Sequence, residues 1–177
     1  MKQIMLRLLS TISLLTLLSA CANSGNASLI GAPVRVYDLT GKIYTILNAE
    51  FDFIGRIGAP GAGGEVCCTS LPKKWHPGML ATVRWVKDPN PCLECGPNMD
   101  KEYDKFMEYM KKKRAAYQHH SAQVELLPYT RTCGVTLVFL PCDQVRVTID
   151  CDQEGPLVSQ WRQQAAAMEG KTCPKTP

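Results

Sequence analysis

Recognisable catalytic machinery is what this sequence lacks. It contains no Gly-x-Ser-x-Gly elbow. Its three histidines, His76, His119 and His120, lie beside no serine or cysteine pattern that spells a nucleophile and its base, so the chain is read as a non-enzyme. Aromatic residues are few, at 7% of the chain. The three tryptophans are read as core, with Trp75 the exception because it lies between Lys74 and His76 in a turn. The glycine run from Gly58 to Gly64 is followed by no Lys-Ser/Thr pair and has no Rossmann spacing, so it reads as a mobile loop between strands rather than a phosphate cradle. A large charge excess is missing too. Removing Lys2 and Arg7 from 20 basic residues against 16 acidic ones leaves about +2, which implies no polyanionic partner and argues against nucleic acid.

What is there begins at the amino terminus. Lys2 and Arg7 form a basic region, Leu8 to Leu18 an apolar run too short to span a bilayer, and Leu18-Ser19-Ala20-Cys21 matches a bacterial lipobox. Residues 1–20 are therefore expected to be a lipoprotein signal peptide. Cys21 is the expected acylated anchor, held by more than one chain at ~0.8 kcal/mol per buried CH₂. Ala22 follows in place of aspartate, which favours the periplasmic face of the outer membrane over the inner membrane. Residues 21–33, small and polar, read as a lipidated tether, and 34–177 as a single globular domain.

Eight cysteines remain: Cys67, Cys68, Cys92, Cys95, Cys133, Cys142, Cys151 and Cys173. An even number in an oxidising compartment reads as three or four disulfides, with Cys67 and Cys68 expected to bond different partners because a vicinal ring is strained. Cys92-x-x-Cys95 also admits a redox dithiol or half a zinc site completed by Cys67 and Cys68. Pro91 before it and Gly96-Pro97 after it make it loop chemistry, and bridges are preferred. No metal is expected, and no cofactor beyond the lipid on Cys21.

The expected fold is α+β: mainly antiparallel sheet, sandwich-like, with one long inserted helix and a C-terminal helix, stapled by disulfides. Val34 to Tyr37, Ile43 to Leu47, Phe51 to Ile54 and Leu80 to Val86 are strand-like, and Val124 to Leu127 is a short strand. Met99 to His120 turns helical, with Asn98 as N-cap and Tyr103, Phe106, Met107, Met110 and Tyr117 on one stripe. Val135 to Leu140 and Val145 to Ile149 flank Pro141-Cys-Asp-Gln144 as a hairpin, which brings Cys133 near Cys151. Leu157 to Glu169 is the final helix, with Trp161, Ala165 and Met168 inward and Gly170 at C′, after which Cys173 staples the tail upstream. Lys111, Lys112, Lys113 and Arg114 point around the inserted helix as a solvated face, with Glu108 placed to pair with Lys112.

The run Gly63-Gly64-Glu65-Val66-Cys67-Cys68-Thr69-Ser70-Leu71-Pro72-Lys73-Lys74-Trp75-His76-Pro77-Gly78, followed by Thr82 to Trp85, resembles the signature of an uncharacterised family of proteobacterial lipoproteins. Phe139 to Val147 is similar to that family's second block. The resemblance implies an immunity protein that binds and blocks a cognate type VI secretion phospholipase or lipase effector in the periplasm. The candidate contact residues are Trp75, His76, Lys111, Lys112, Lys113 and Arg114, together with the Gly58 to Gly64 loop. The rival reading is a non-catalytic envelope scaffold or assembly lipoprotein.

Overall fold

The computed structural model describes residues 28–41, 45–53, 56–60, 64–92 and 95–173. The expected signal peptide, Cys21 and the expected tether up to residue 27 lie outside the described residues. The elements run β1 (Leu29–Asp38), β2 (Ile46–Asp52), β3 (Arg56–Pro60), β4 (Glu65–Pro72), β5 (Leu80–Lys87), α1 (Tyr103–Ala115), β6 (Gln118–Glu125), β7 (Thr132–Leu140), β8 (Gln144–Asp150) and α2 (Glu154–Ala167). They form two four-stranded sheets, β4-β1-β7-β8 and β3-β2-β5-β6. Every pairing is antiparallel except β1 with β7. The architecture is an α+β sandwich with one mid-chain and one C-terminal helix.

Alternation decides what each strand buries. Val34 and Val36 of β1, Val135, Leu137 and Phe139 of β7, and Val145, Val147 and Ile149 of β8 meet Phe51, Val83 and Trp85 of the second sheet in one core. The intervening residues of β7, Val138 and Leu140, face the other way and pack with Val158 and Trp161 of α2. Strand β7 is thus buried on both faces, which accounts for its unbroken apolar run. The expected hairpin forms with Leu140 opposite Gln144, and Cys142 and Asp143 occupy its turn at φ 67 and 56.

Several boundaries differ from the sequence reading. Strand β1 starts at Leu29, ahead of Val34, because Leu29 to Ala32 pair with β4 from Pro72 to Thr69 and a register shift then absorbs Pro33, which has no N–H to donate. Ile43 to Leu47 and Phe51 to Ile54 are not two strands: Ile46–Asp52 is one. Residues 42–44 and 54–55 lie outside the described residues. Gly58 is not in a loop. It sits in β3 opposite Glu50, since a backbone ladder forms without side chains, and 61–63 lie outside the described residues.

The largest correction concerns Met99 to His120. The helix covers only Tyr103–Ala115, and Gln118–Glu125 becomes a strand paired along β5. His120, Ala122 and Val124 turn toward the core while His119, Ser121, Gln123 and Glu125 are exposed, a period of two that the helical reading ran over. Asn98 does not cap the helix itself. Its Oδ1 accepts from the N–H groups of Asp100 at 2.9 Å and Lys101 at 3.2 Å, in the turn before the helix. At the C-terminus α2 starts earlier than expected, at Glu154, and ends at Ala167, with Gly170 at φ 74 just beyond the cap. Trp161 is buried as expected, whereas Ala165 and Met168 are only half-buried.

Four disulfides staple the frame. Cys133–Cys151, the expected pair, joins β7 to the end of β8 with Cα atoms 5.0 Å apart. Cys173 reaches back to Cys142 in the hairpin turn. Cys92 bonds Cys95 within its loop. Contrary to expectation, Cys67 and Cys68 bond each other, across a cis peptide, and not separate partners. Among the described residues the six other cysteines pair as Cys92–Cys95, Cys133–Cys151 and Cys142–Cys173, which leaves these two to each other.

Candidate functional site

Two surface regions carry the residues that the sequence singled out, and a third joins residues that it did not. The first is α1. The loop before it folds back on itself through the Cys92–Cys95 bridge, and Gly96 at φ 115 lets the Tyr109 ring lie where a Cβ would sit, 2.7 Å from Cε1. Lys113 turns inward and its Nζ lies 3.1 Å from the carboxylate of Asp88, whose side chain is 5% exposed. That carboxylate holds the ammonium proton and raises the Lys113 pKa. Lys113 is therefore a half-buried strut rather than part of a solvated face, because residues 106, 109, 110 and 113 follow the 3.6 period on the side facing the domain. The expected stripe through Tyr103 and Met107 turns out to solvent instead, at 61% and 43% exposure. Lys111, Lys112 and Arg114 stay exposed, and Lys112 makes the expected pair with Glu108 at 2.8 Å. Met107, Met110, Lys111 and Arg114 line a shallow groove of about 500 Å³.

The second region is the turn after β4. Trp75 is half-buried against the core and its Nε1 donates to the Leu126 carbonyl at 2.7 Å, so this indole anchors the turn. The Tyr129 hydroxyl donates to the Pro72 carbonyl at 2.7 Å just behind it. Gly78 at φ 81 completes the reversal, and His76 is exposed, its Nδ1 near the Pro77 carbonyl at 3.1 Å.

The third lies where β5 and β6 approach the β7–β8 turn, and the sequence reading missed it because it joins residues far apart in the chain. His120 stacks on Trp85 with centroids 5.2 Å apart. Its Nε2 is buried without a hydrogen-bond partner and sits 3.9 Å from Asp143, which Lys87 engages at 2.6 Å. On the opposite face of this sheet, Asn48, Glu50, Arg84, His119 and Ser121 border a depression of about 320 Å³. His119 and Ser121 share that face without hydrogen-bonding each other.

Two further groups are structural. Asp150 accepts backbone N–H donors from Thr130 and Asp152, and these hold its pKa down at about 2. Arg35 ties β1 to Glu65 of β4, to Glu154 at the start of α2 and to the Cys133 carbonyl. Its charged form is favoured by those two carboxylates, Glu65 first. Among the described residues no three His, Cys, Asp or Glu side chains converge as a metal site, and no helix is long and apolar enough to cross a membrane.

No curated protein and no solved structure matches the chain. One family model does, over residues 40–147, a span that contains the Cys67 to Trp85 block, which runs from β4 in the first sheet to β5 in the second, and the Phe139 to Val147 block in β7 and β8 of the first sheet. By that match, which covers more than half of the chain, the protein belongs to the DUF3304 family, described as proteins of unknown function.

Proposed function

We propose that this protein is a lipid-anchored periplasmic immunity protein, a binding domain that captures and blocks a type VI secretion phospholipase or lipase effector. The observation that carries the reading is the outer face of α1. Tyr103 is 61% exposed, Met107 43% and, just before the helix, Met99 53%, with Lys111 and Arg114 alongside. Tyrosine, methionine and arginine are the residues enriched at protein interfaces. The helix carries them on a support made rigid by the Cys92–Cys95 bridge, the Tyr109–Gly96 contact and the Lys113–Asp88 pair. Rigid presentation lowers the entropy lost on binding. Acylation of Cys21 would raise the local concentration of the domain at the membrane where a lipase acts.

The test is co-expression of the full chain with a lipase effector encoded beside it and directed to the periplasm. Growth rescue with co-purification is expected, and Tyr103→Ser with Met107→Ser should lose both. Continued killing in the presence of the folded, lipidated protein would overturn the proposal.

A further inference from the structure

The two sheets end in four edge strands, β4 and β8 in one and β3 and β6 in the other. Three of them are blunted. β3 ends on Pro60, β4 contains the vicinal Cys67–Cys68 bridge and ends on Pro72, and β8 lies between α2 and, across a groove, the β6 edge, and carries Arg146. β6, with the sequence Gln-His-His-Ser-Ala-Gln-Val-Glu, has no proline, glycine, lysine or arginine, and it pairs with β5 from Leu80–Glu125 to Lys87–Gln118 without a register shift.

The phase of that ladder is set at its end, where the Leu126 N–H donates to the Met79 carbonyl at 2.9 Å. Backbone groups alternate sides along an antiparallel strand. Val124, Ala122 and His120 therefore direct theirs to β5, while Glu125, Gln123, Ser121 and His119 direct theirs to the open side. Among the described residues no backbone group pairs with that side.

We propose that β6 is a self-association edge: two copies of this chain pair β6 with β6 antiparallel about a two-fold axis at Ala122, extending the second sheet across both. An axis normal to the sheet keeps both cores on the same side and lets only residues of the same face oppose one another. With the axis at Ala122, His119 faces Glu125 of the second copy, Ser121 faces Gln123, and Ala122 meets its own counterpart, small against small. Glu125 is the one acidic residue in the strand, and in this register it never meets itself. The partner would also cover the half-buried Ala122 and Val124, which with Val145 and Val147 line an open groove of about 540 Å³ between the β6 and β8 edges. This is edge addition with a second copy as the incoming strand.

The experiment is sedimentation velocity of the full-length chain in mild detergent, with far-UV circular dichroism to verify the fold of each variant. The wild type is expected at the mass of two chains. Glu125→Lys, which sets an ammonium against His119 at both symmetric sites, should raise the dissociation constant about tenfold. The double variant His119→Glu with Glu125→Lys should restore the dimer. Gln123→Pro removes an outward N–H that β5 does not use, so it should give a folded monomer. A wild type that stays monomeric, or whose β6 cross-links only to a different protein, overturns the proposal. So does a dimer that survives Gln123→Pro.

Discussion

Replacing Cys142 and Cys173 together with serine asks how much of the C-terminal structure is held by its staple and how much by packing. The bridge spans 31 residues of sequence and closes a loop that contains β8 and all of α2. In the chain-entropy treatment, a loop of that length takes about 12 cal/mol/K from the unfolded ensemble, or about 3.7 kcal/mol at 25 °C. The native contacts are independent of the bridge. Val158 and Trp161 remain buried against Val138 and Leu140, and Glu154 still receives Arg35 and Thr136. The double variant should therefore show an unchanged far-UV spectrum and a urea midpoint lowered by about 3 to 4 kcal/mol divided by the m-value. A loss below about 1 kcal/mol would refute the reasoning, because it would mean that the unfolded chain was already constrained at these positions. Loss of helical signal in buffer would refute it from the other side, by showing that the staple rather than Trp161 docks α2.

Trp161→Ala removes the largest group between α2 and the first sheet and should cost about 3 to 5 kcal/mol in chemical denaturation, with α2 amides losing hydrogen-exchange protection first. Lys113→Met strands the Asp88 carboxylate and should destabilise by about 2 to 3 kcal/mol, whereas Lys111→Met, on the solvent side of the same helix, should stay within about 0.5 kcal/mol. Gly96→Ala drives a methyl into the Tyr109 ring at a backbone angle that disfavours side chains, and should loosen α1 by about 1 to 3 kcal/mol, read as faster exchange of its amides. Asp150, with its folded pKa of about 2 lying below the unfolded value, contributes stability that is complete above ~pH 4 to 5 and is lost as pH falls through about 2. Asp150→Asn should lower stability at neutral pH and flatten that acid slope in thermal melts.

Period-two and period-3.6 patterns were legible where one physical demand acts on a segment. The β7–β8 hairpin, strand β5, the buried Trp161 and the Cys133–Cys151 bridge are all local in this sense: a turn, an alternation or a ladder places them before distant contacts matter. The segment from Met99 to His120 was not. Residues 106, 109, 110 and 113 face the domain because Asp88 and Gly96 supply a seat. Residues 118–125 are extended because the open side of β5 requires a hydrogen-bonded partner. Neither need is written in the segment itself, so tertiary pairing overrode a moderate helical period.

The candidate site divides along the same line. Composition and spacing could nominate Lys111 to Arg114 and Trp75, because charge runs and an aromatic in a turn are visible in one dimension. They could not show that Lys113 is a strut, that the Trp75 indole is committed to Leu126, or that Tyr103 and Met107 form the outer face. By itself the sequence determined the class of fold, the stapling and the apolar layers, since each follows from local periodicity and cysteine count. Only the tertiary structure decided which edge is left open, which cations turn toward the domain and which cysteines are partners, because those depend on strand order and on distances between segments that no local pattern encodes.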